Sequence, residues 1–226
     1  MSTKASWVLV GLALTFVLPA SAFAWASKTT PICEKVHQEA IANVLEVYLD
    51  PNQKTLTSSV LKILQDQQDV VDKDQKAFQS YEHAMTGVEA NENADQRRPV
   101  FIAETEGFIH KQLSEALQAK KGGRNEVSLA ALGKAIHPLQ DATSPAHRPF
   151  QAWKYNETLW SKAVHLWHEN SYPDEGTSLR SDLENAVRWA LDIYFERTPI
   201  PEHFFRPDGE LDFPAPYRPS STTTAI

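Results

Sequence analysis

His137 and Asp141 stand four residues apart in the run LGKAIHPLQDATSPAH at residues 132–147. On a helix that spacing puts an imidazole and a carboxylate on one face. His147 follows after a turn signalled by Ser144 and Pro145. Further on, in HLWHE, His165 and Glu169 repeat the four-residue spacing on a second helix. Together these segments offer five potential metal ligands, and imidazole with carboxylate is a donor set that suits zinc held between facing helices. A single His-x-x-x-Asp pair is most often a surface ion pair. Two pairs and an intervening histidine on otherwise apolar helices argue for more, because charge buried there needs a metal or a partner.

The elements that must carry these residues read as helices throughout. Thr30 is a natural N-cap with Pro31 at the first helical position, and the first helix is expected to run to Leu49, before Asp50-Pro51. His37 lies beside its apolar stripe. A second helix is expected over residues 58–77, with Val60, Leu61, Ile63, Leu64, Val70 and Val71 inward, and with most of Asp66, Asp69, Asp72 and Asp74 solvated. His83 falls in a loop or fresh helical start, and residues 86–98 read as a polar surface loop. Helix three is expected over residues 99–120, stopped by Gly122-Gly123, with His110 structural. Helix four spans residues 126–142, and Pro138 within it predicts a kink at His137. Helix five covers residues 156–170 and helix six residues 177–197, both with apolar faces that read as core. His168, next to Glu169 but on another side of helix five, reads as a surface residue or as a support behind the ligands. No β-periodic run is apparent, so the expected fold is all-α, a compact multi-helix bundle.

At 226 residues, with 42% hydrophobic content and 14 prolines, the chain suits one compact domain with irregular segments. Residues 1–24 read as a secretory leader: Lys4 is basic, an apolar run extends from Ala5 to Leu18, and Ala22-Phe23-Ala24 is a small-x-small cleavage pattern. The mature chain is expected to start at Trp25 and to be secreted or periplasmic. Residues 25–198 would form the helical domain and residues 199–226 a Pro-rich tail, extended against it and then frayed. The formal net charge is −7, and losing Lys4 removes one more positive charge, so bulk electrostatics do not draw nucleic acid to this surface. Cys33 is the only cysteine, which rules out an internal disulfide and points to a buried thiol.

In ligand order the chain resembles the zinc-dependent phospholipases C and the related single-strand-specific zinc nucleases, secreted all-helical enzymes built around three zinc ions. The resemblance rests on LGKAIHPLQDATSPAH followed by HLWHE. It implies that the N-terminal amine and carbonyl of Trp25 share one zinc with His37, and that Asp141 bridges this ion to the next. The second zinc would then be held by His83, His137, Asp141 and a mid-chain aspartate, Asp72 in preference to Asp69. The third would be held by His147, His165 and Glu169. Pro138 departs from the aromatic residue common in relatives, and only Ala84-Met85 stands where a hydrophobic-aromatic lip is expected.

The resemblance further implies hydrolysis of a phosphoester by a metal-activated water, with Asp72 orienting that water or taking its proton. Glu169 as last ligand, and the lack of a Gly-Gly-Asn stretch between His147 and His165, lean toward a phospholipid head group over single-stranded nucleic acid. The membrane-binding β-domain of the toxin-like phospholipases has no counterpart in the sequence, so stable membrane insertion is not expected. Another class is a secreted metal-binding or interaction protein that keeps the zinc scaffold without turnover.

Overall fold

The computed structural model describes residues 36–48, 54–72, 77–88, 92–154 and 173–217. Five α-helices lie within them: α1 (Val36–Tyr48), α2 (Lys54–Val71), α3 (Ala94–Lys121), α4 (Asn125–Asp141) and α5 (Ser178–Tyr194). The fold is mostly helical, as the periodicity predicts. The expected leader, Trp25, Cys33, the fifth helix with His165, His168 and Glu169, and the end of the tail lie outside the described residues.

Helix α4 is the centre of the bundle. Ala131, Leu132, Ala135, Ile136 and Leu139 are buried on it, and α2, α3 and α5 all pack against it. A helix covered on so many sides has little solvent face on which to leave a polar residue, so His137, Gln140 and Asp141 are buried as well. The helix continues through Pro138 to Asp141, and the N–H of Ala142 returns to the Pro138 carbonyl at 3.0 Å.

Helix α2 differs from its expected form. It spans Lys54–Val71, starting and stopping earlier than residues 58–77, and its inward stripe is Leu64, Gln68, Val71 and Asp72. This is the i, i+4, i+7, i+8 pattern of a helix face. Val70 falls off that stripe and is 43% exposed, contrary to the expectation that it points inward. Asp66 is solvated and pairs with Lys62 at 2.7 Å, but Asp69 and Asp72 are buried. Asp74 lies outside the described residues.

The described parts of the segment expected to be a surface loop, residues 86–88 and 92–98, are mostly strand and helix. Thr86–Val88 forms a buried strand, β1, paired in parallel with β2 (Ala152–Lys154). Asn93 then caps α3, accepting from the Asp95 N–H at 2.9 Å, so that helix begins five residues before Pro99. Its far end matches expectation, with Lys120 and Lys121 in the last turn and Gly123 at φ +71°.

The tail packs against the helices as far as it is described. Phe204 and Phe213 meet Trp189 of α5 with ring centroids 5.0 and 5.8 Å away. One carboxylate oxygen of Glu106 accepts the N–H groups of both Phe204 and Phe205, at 2.8 and 3.1 Å. Arg148 joins Glu210 of the tail to Asp182 of α5.

Gly133 sets how closely α2 approaches α4. A Cβ there would lie 2.8 Å from Gln67 Cβ and 3.1 Å from the Leu64 carbonyl oxygen. Alanine gains about 1 kcal/mol in helix propensity, but forcing a methyl group into a filled contact costs about 1–3 kcal/mol. The contact with backbone decides the balance. Gly133→Ala is therefore expected to lose about 1–2 kcal/mol of stability, seen as a lower urea midpoint; an unchanged or higher midpoint would show that the helices can part at no cost.

Candidate metal centre

Four elements converge on Asp141, the last residue of α4. Helix α1 brings His37, α2 brings Asp72, a 3-10 turn (Ala77–His83) ends at His83, and His137 sits one turn back on α4. Asp141 Oδ1 lies 3.1 Å from His37 Nε2. Its Oδ2 lies 3.1 Å from both His83 Nδ1 and His137 Nε2. Those two nitrogens are themselves 3.1 Å apart, and His137 Nε2 is 3.2 Å from Asp72 Oδ1. The carboxylate thus turns one oxygen to His37 and makes the other a corner of a triangle of equal edges with His83 Nδ1 and His137 Nε2.

The strand pair explains why His83 and His147 meet here. Thr86, three residues after His83, bonds through its N–H to Gln151 O at 2.9 Å and through Oγ1 to Phe150 O at 2.8 Å. This holds the chain after His83 against the chain after His147. His147 Nδ1 bonds the His83 carbonyl and lies 3.9 Å from Asp141 Oδ2. Since a carbonyl only accepts, that Nδ1 carries the proton, and the basic nitrogen of a neutral His147 ring is Nε2. Ala84 and Phe150 adopt left-handed backbone angles, φ 49° and 54°, at the two ends of this junction. Non-glycine residues pay for that geometry, and strain of this kind collects where a fold must aim side chains.

The electrostatics favour positive charge beside Asp141. Burial pushes Asp72 up, and the nearby His137, His37 and His83 offset that only in part. Burial acts on Asp141 in the same direction, but the His137, His147 and His37 rings outweigh it and hold its carboxyl well below the usual range. For His83, burial opposes the charged ring, yet the hydrogen bond and charge of Asp141, with help from Asp72, raise it. Two buried carboxylates facing imidazole nitrogens can be stabilised by protons or by a metal cation. Two overlapping groups have ligand atoms close enough to hold a metal ion: His37, His137 and Asp141, and Asp72, His83 and His137.

The structure therefore brings together His37, Asp72, His83, His137, Asp141 and His147. Between the two candidate aspartates it puts Asp72 at the cluster, whereas Asp69 accepts from Gln38 Nε2 at 3.1 Å. Trp25, His165 and Glu169 lie outside the described residues. His110 bonds the Glu202 carbonyl at 3.2 Å and stacks edge-on with Phe204, the structural role expected of it.

Sequence reasoning passes over the glutamines. Gln68 meets His137 Nδ1 at 3.0 Å, and Gln140 Nε2 donates to the His37 carbonyl at 3.1 Å, fixing α4 against α1. The available signal was the four-residue spacing of Gln68 and Asp72, which repeats that of His137 and Asp141. No protein-family model, curated protein or solved structure matches the chain, so the site stands on its own geometry.

Asp141→Asn keeps the side-chain volume and removes the charge that organises the cluster. It is expected to abolish metal uptake, whereas Asp69→Asn, which alters the Gln38 contact, should leave uptake within about tenfold of the parent. Metal analysis after equilibrium dialysis separates the two, and equal, mild effects would remove Asp141 from the centre.

Proposed function

We propose that this chain is a zinc-dependent phosphoester hydrolase of the phospholipase C-like kind, exported after removal of residues 1–24. The observation that carries the reading is the divided Asp141 carboxylate, with Oδ1 toward His37 and Oδ2 toward His83 and His137. That is the arrangement a carboxylate needs to serve two ions at once. Zinc bound to nitrogen and oxygen at 2.0–2.1 Å in a tetrahedron has ligands about 3.3–3.4 Å apart. The edges of 3.1 and 3.2 Å among His83, His137, Asp141 and Asp72 come close to that spacing.

On this reading His83, His137, Asp72 and Asp141 would hold one zinc, and His37 and Asp141 would hold another with Trp25. His147 would contribute Nε2 to a third, with His165 and Glu169. Bound zinc would supply Lewis acidity toward a phosphoryl oxygen and bring a water near a pKa of roughly 7. The Asp72 carboxylate would orient the attacking water or accept its proton. The histidines fix the geometry, and no side chain need form a covalent bond to phosphorus. The phospholipid preference rests on Glu169 and on the lack of a Gly-Gly-Asn stretch between His147 and His165, with weaker support from the acidic charge, and single-stranded nucleic acid is the alternative substrate.

The test is direct. Protein starting at Trp25 is expected to carry about three zinc ions per chain and to hydrolyse a generic phosphodiester, faster on phosphatidylcholine than on single-stranded DNA. Chelation should abolish both metal and rate, and zinc should restore them. Full zinc loading with no hydrolysis of any of the three would make the protein a metal-binding scaffold instead, and faster cleavage of DNA would reassign the substrate.

A further inference from the structure

The carboxamide of Gln68 has only one orientation that its surroundings satisfy. One end lies 2.9 Å from the Gly133 carbonyl oxygen and 3.2 Å from the Leu64 carbonyl oxygen. Carbonyls only accept, so this end is the NH2 group, which has two hydrogens to give. The other end is the oxygen, 3.0 Å from His137 Nδ1. An amide oxygen cannot donate, so Nδ1 of His137 must carry a proton. In the neutral ring Nε2 then keeps its lone pair, and Nε2 is the nitrogen that faces Asp72, His83 and Asp141.

We propose that Gln68 is a positioning residue that locks His137 in the Nδ1–H tautomer and in the ring plane that presents Nε2 to the metal. The metal half of this inference rests on the reading above; the tautomer half concerns the protein with or without an ion. An amide suits the task better than a carboxylate. A carboxylate would place a third negative charge beside Asp72 and Asp141, and it would offer no hydrogen to the Gly133 and Leu64 carbonyls. Gly133 is the other half of the device, because the close approach it permits lets Gln68, fully buried, reach the Gly133 carbonyl. Gly133 and His137 are one turn apart on α4, as Gln68 and Asp72 are on α2. The two helices therefore meet in matched phase, with Gln68 against Gly133 and His137, and Asp72 against His137.

Two variants test the assignment. Gln68→Met keeps the volume and removes the acceptor, and Gln68→Glu keeps an acceptor for Nδ1–H. Nitrogen-15 spectra of histidine-labelled protein, metal-free and zinc-loaded, report which nitrogen of His137 is protonated, and competition with a chelator reports zinc affinity. Wild type is expected to show Nδ1–H in both states. Q68M should lose that preference and bind zinc roughly 10- to 100-fold more weakly, and Q68E should keep Nδ1–H and bind more tightly than Q68M. An unprotonated Nδ1 in wild type, an unchanged tautomer and affinity in Q68M, or a Q68E no better than Q68M would each overturn the assignment. Should wild type take up no zinc, the metal reading falls, while the His137 tautomer in the three proteins still decides the positioning role. Should Q68M fail to fold, the wild-type and Q68E spectra decide it.

Discussion

A carboxylate with no exposed surface, at the end of the helix on which the described bundle is centred, is the constraint around which this structure is arranged. Asp141 and the neighbouring His137 are both fully buried, and Asp72 is nearly so. Removing such charges from water costs several kcal/mol each unless opposite charge and hydrogen bonds replace the lost solvation. The replacement is assembled from four different elements, and each is placed by something other than the cluster itself. His37 rides on an apolar helix, His83 ends a 3-10 turn, His147 is tied to His83 through its carbonyl, and His137 is held from behind by Gln68.

This division of labour explains features that packing alone would not select. A parallel pair of three-residue strands is a weak element by itself, but it brings the chain after His83 against the chain after His147. Left-handed backbone at Ala84 and Phe150 is an expense accepted at the same junction. The aromatic tail covers α5 and α3 at Trp189 and Glu106. These described elements thus hold in place a polar centre that would otherwise destabilise the fold.

What the sequence revealed of this depended on how local the signal was. The four-residue spacing of His137 and Asp141 is a property of one helix, so it survives in the fold without adjustment. The N-cap at Thr177 and the glycine stop after Lys121 are local in the same sense, and the start of α5 and the end of α3 fall where they are expected, although α5 stops at Tyr194, short of the expected residue 197. The strand pair was illegible because it joins Thr86 to Ala152 across two helices and neither strand is long enough to show a period of two. The acidic end of α2 misled in another way. Runs of aspartate are usually solvated, but here the helix phase set by Leu64 and Gln68 carries Asp72 inward and turns Val70 out. Helix phase, more than charge, decides which of these carboxylates are buried.

The most direct measurement of the central claim is anomalous scattering at the zinc absorption edge from crystals of the zinc-loaded protein. If Asp141 organises a metal centre, peaks should appear on both sides of its carboxylate, each about 2.0–2.1 Å from the nearest oxygen, one shared with His37 and one with His83 and His137. A map with no peak within bonding distance of Asp141, from protein whose His37, His83 and His137 still converge on that carboxylate, would show that protons and not metal neutralise the cluster.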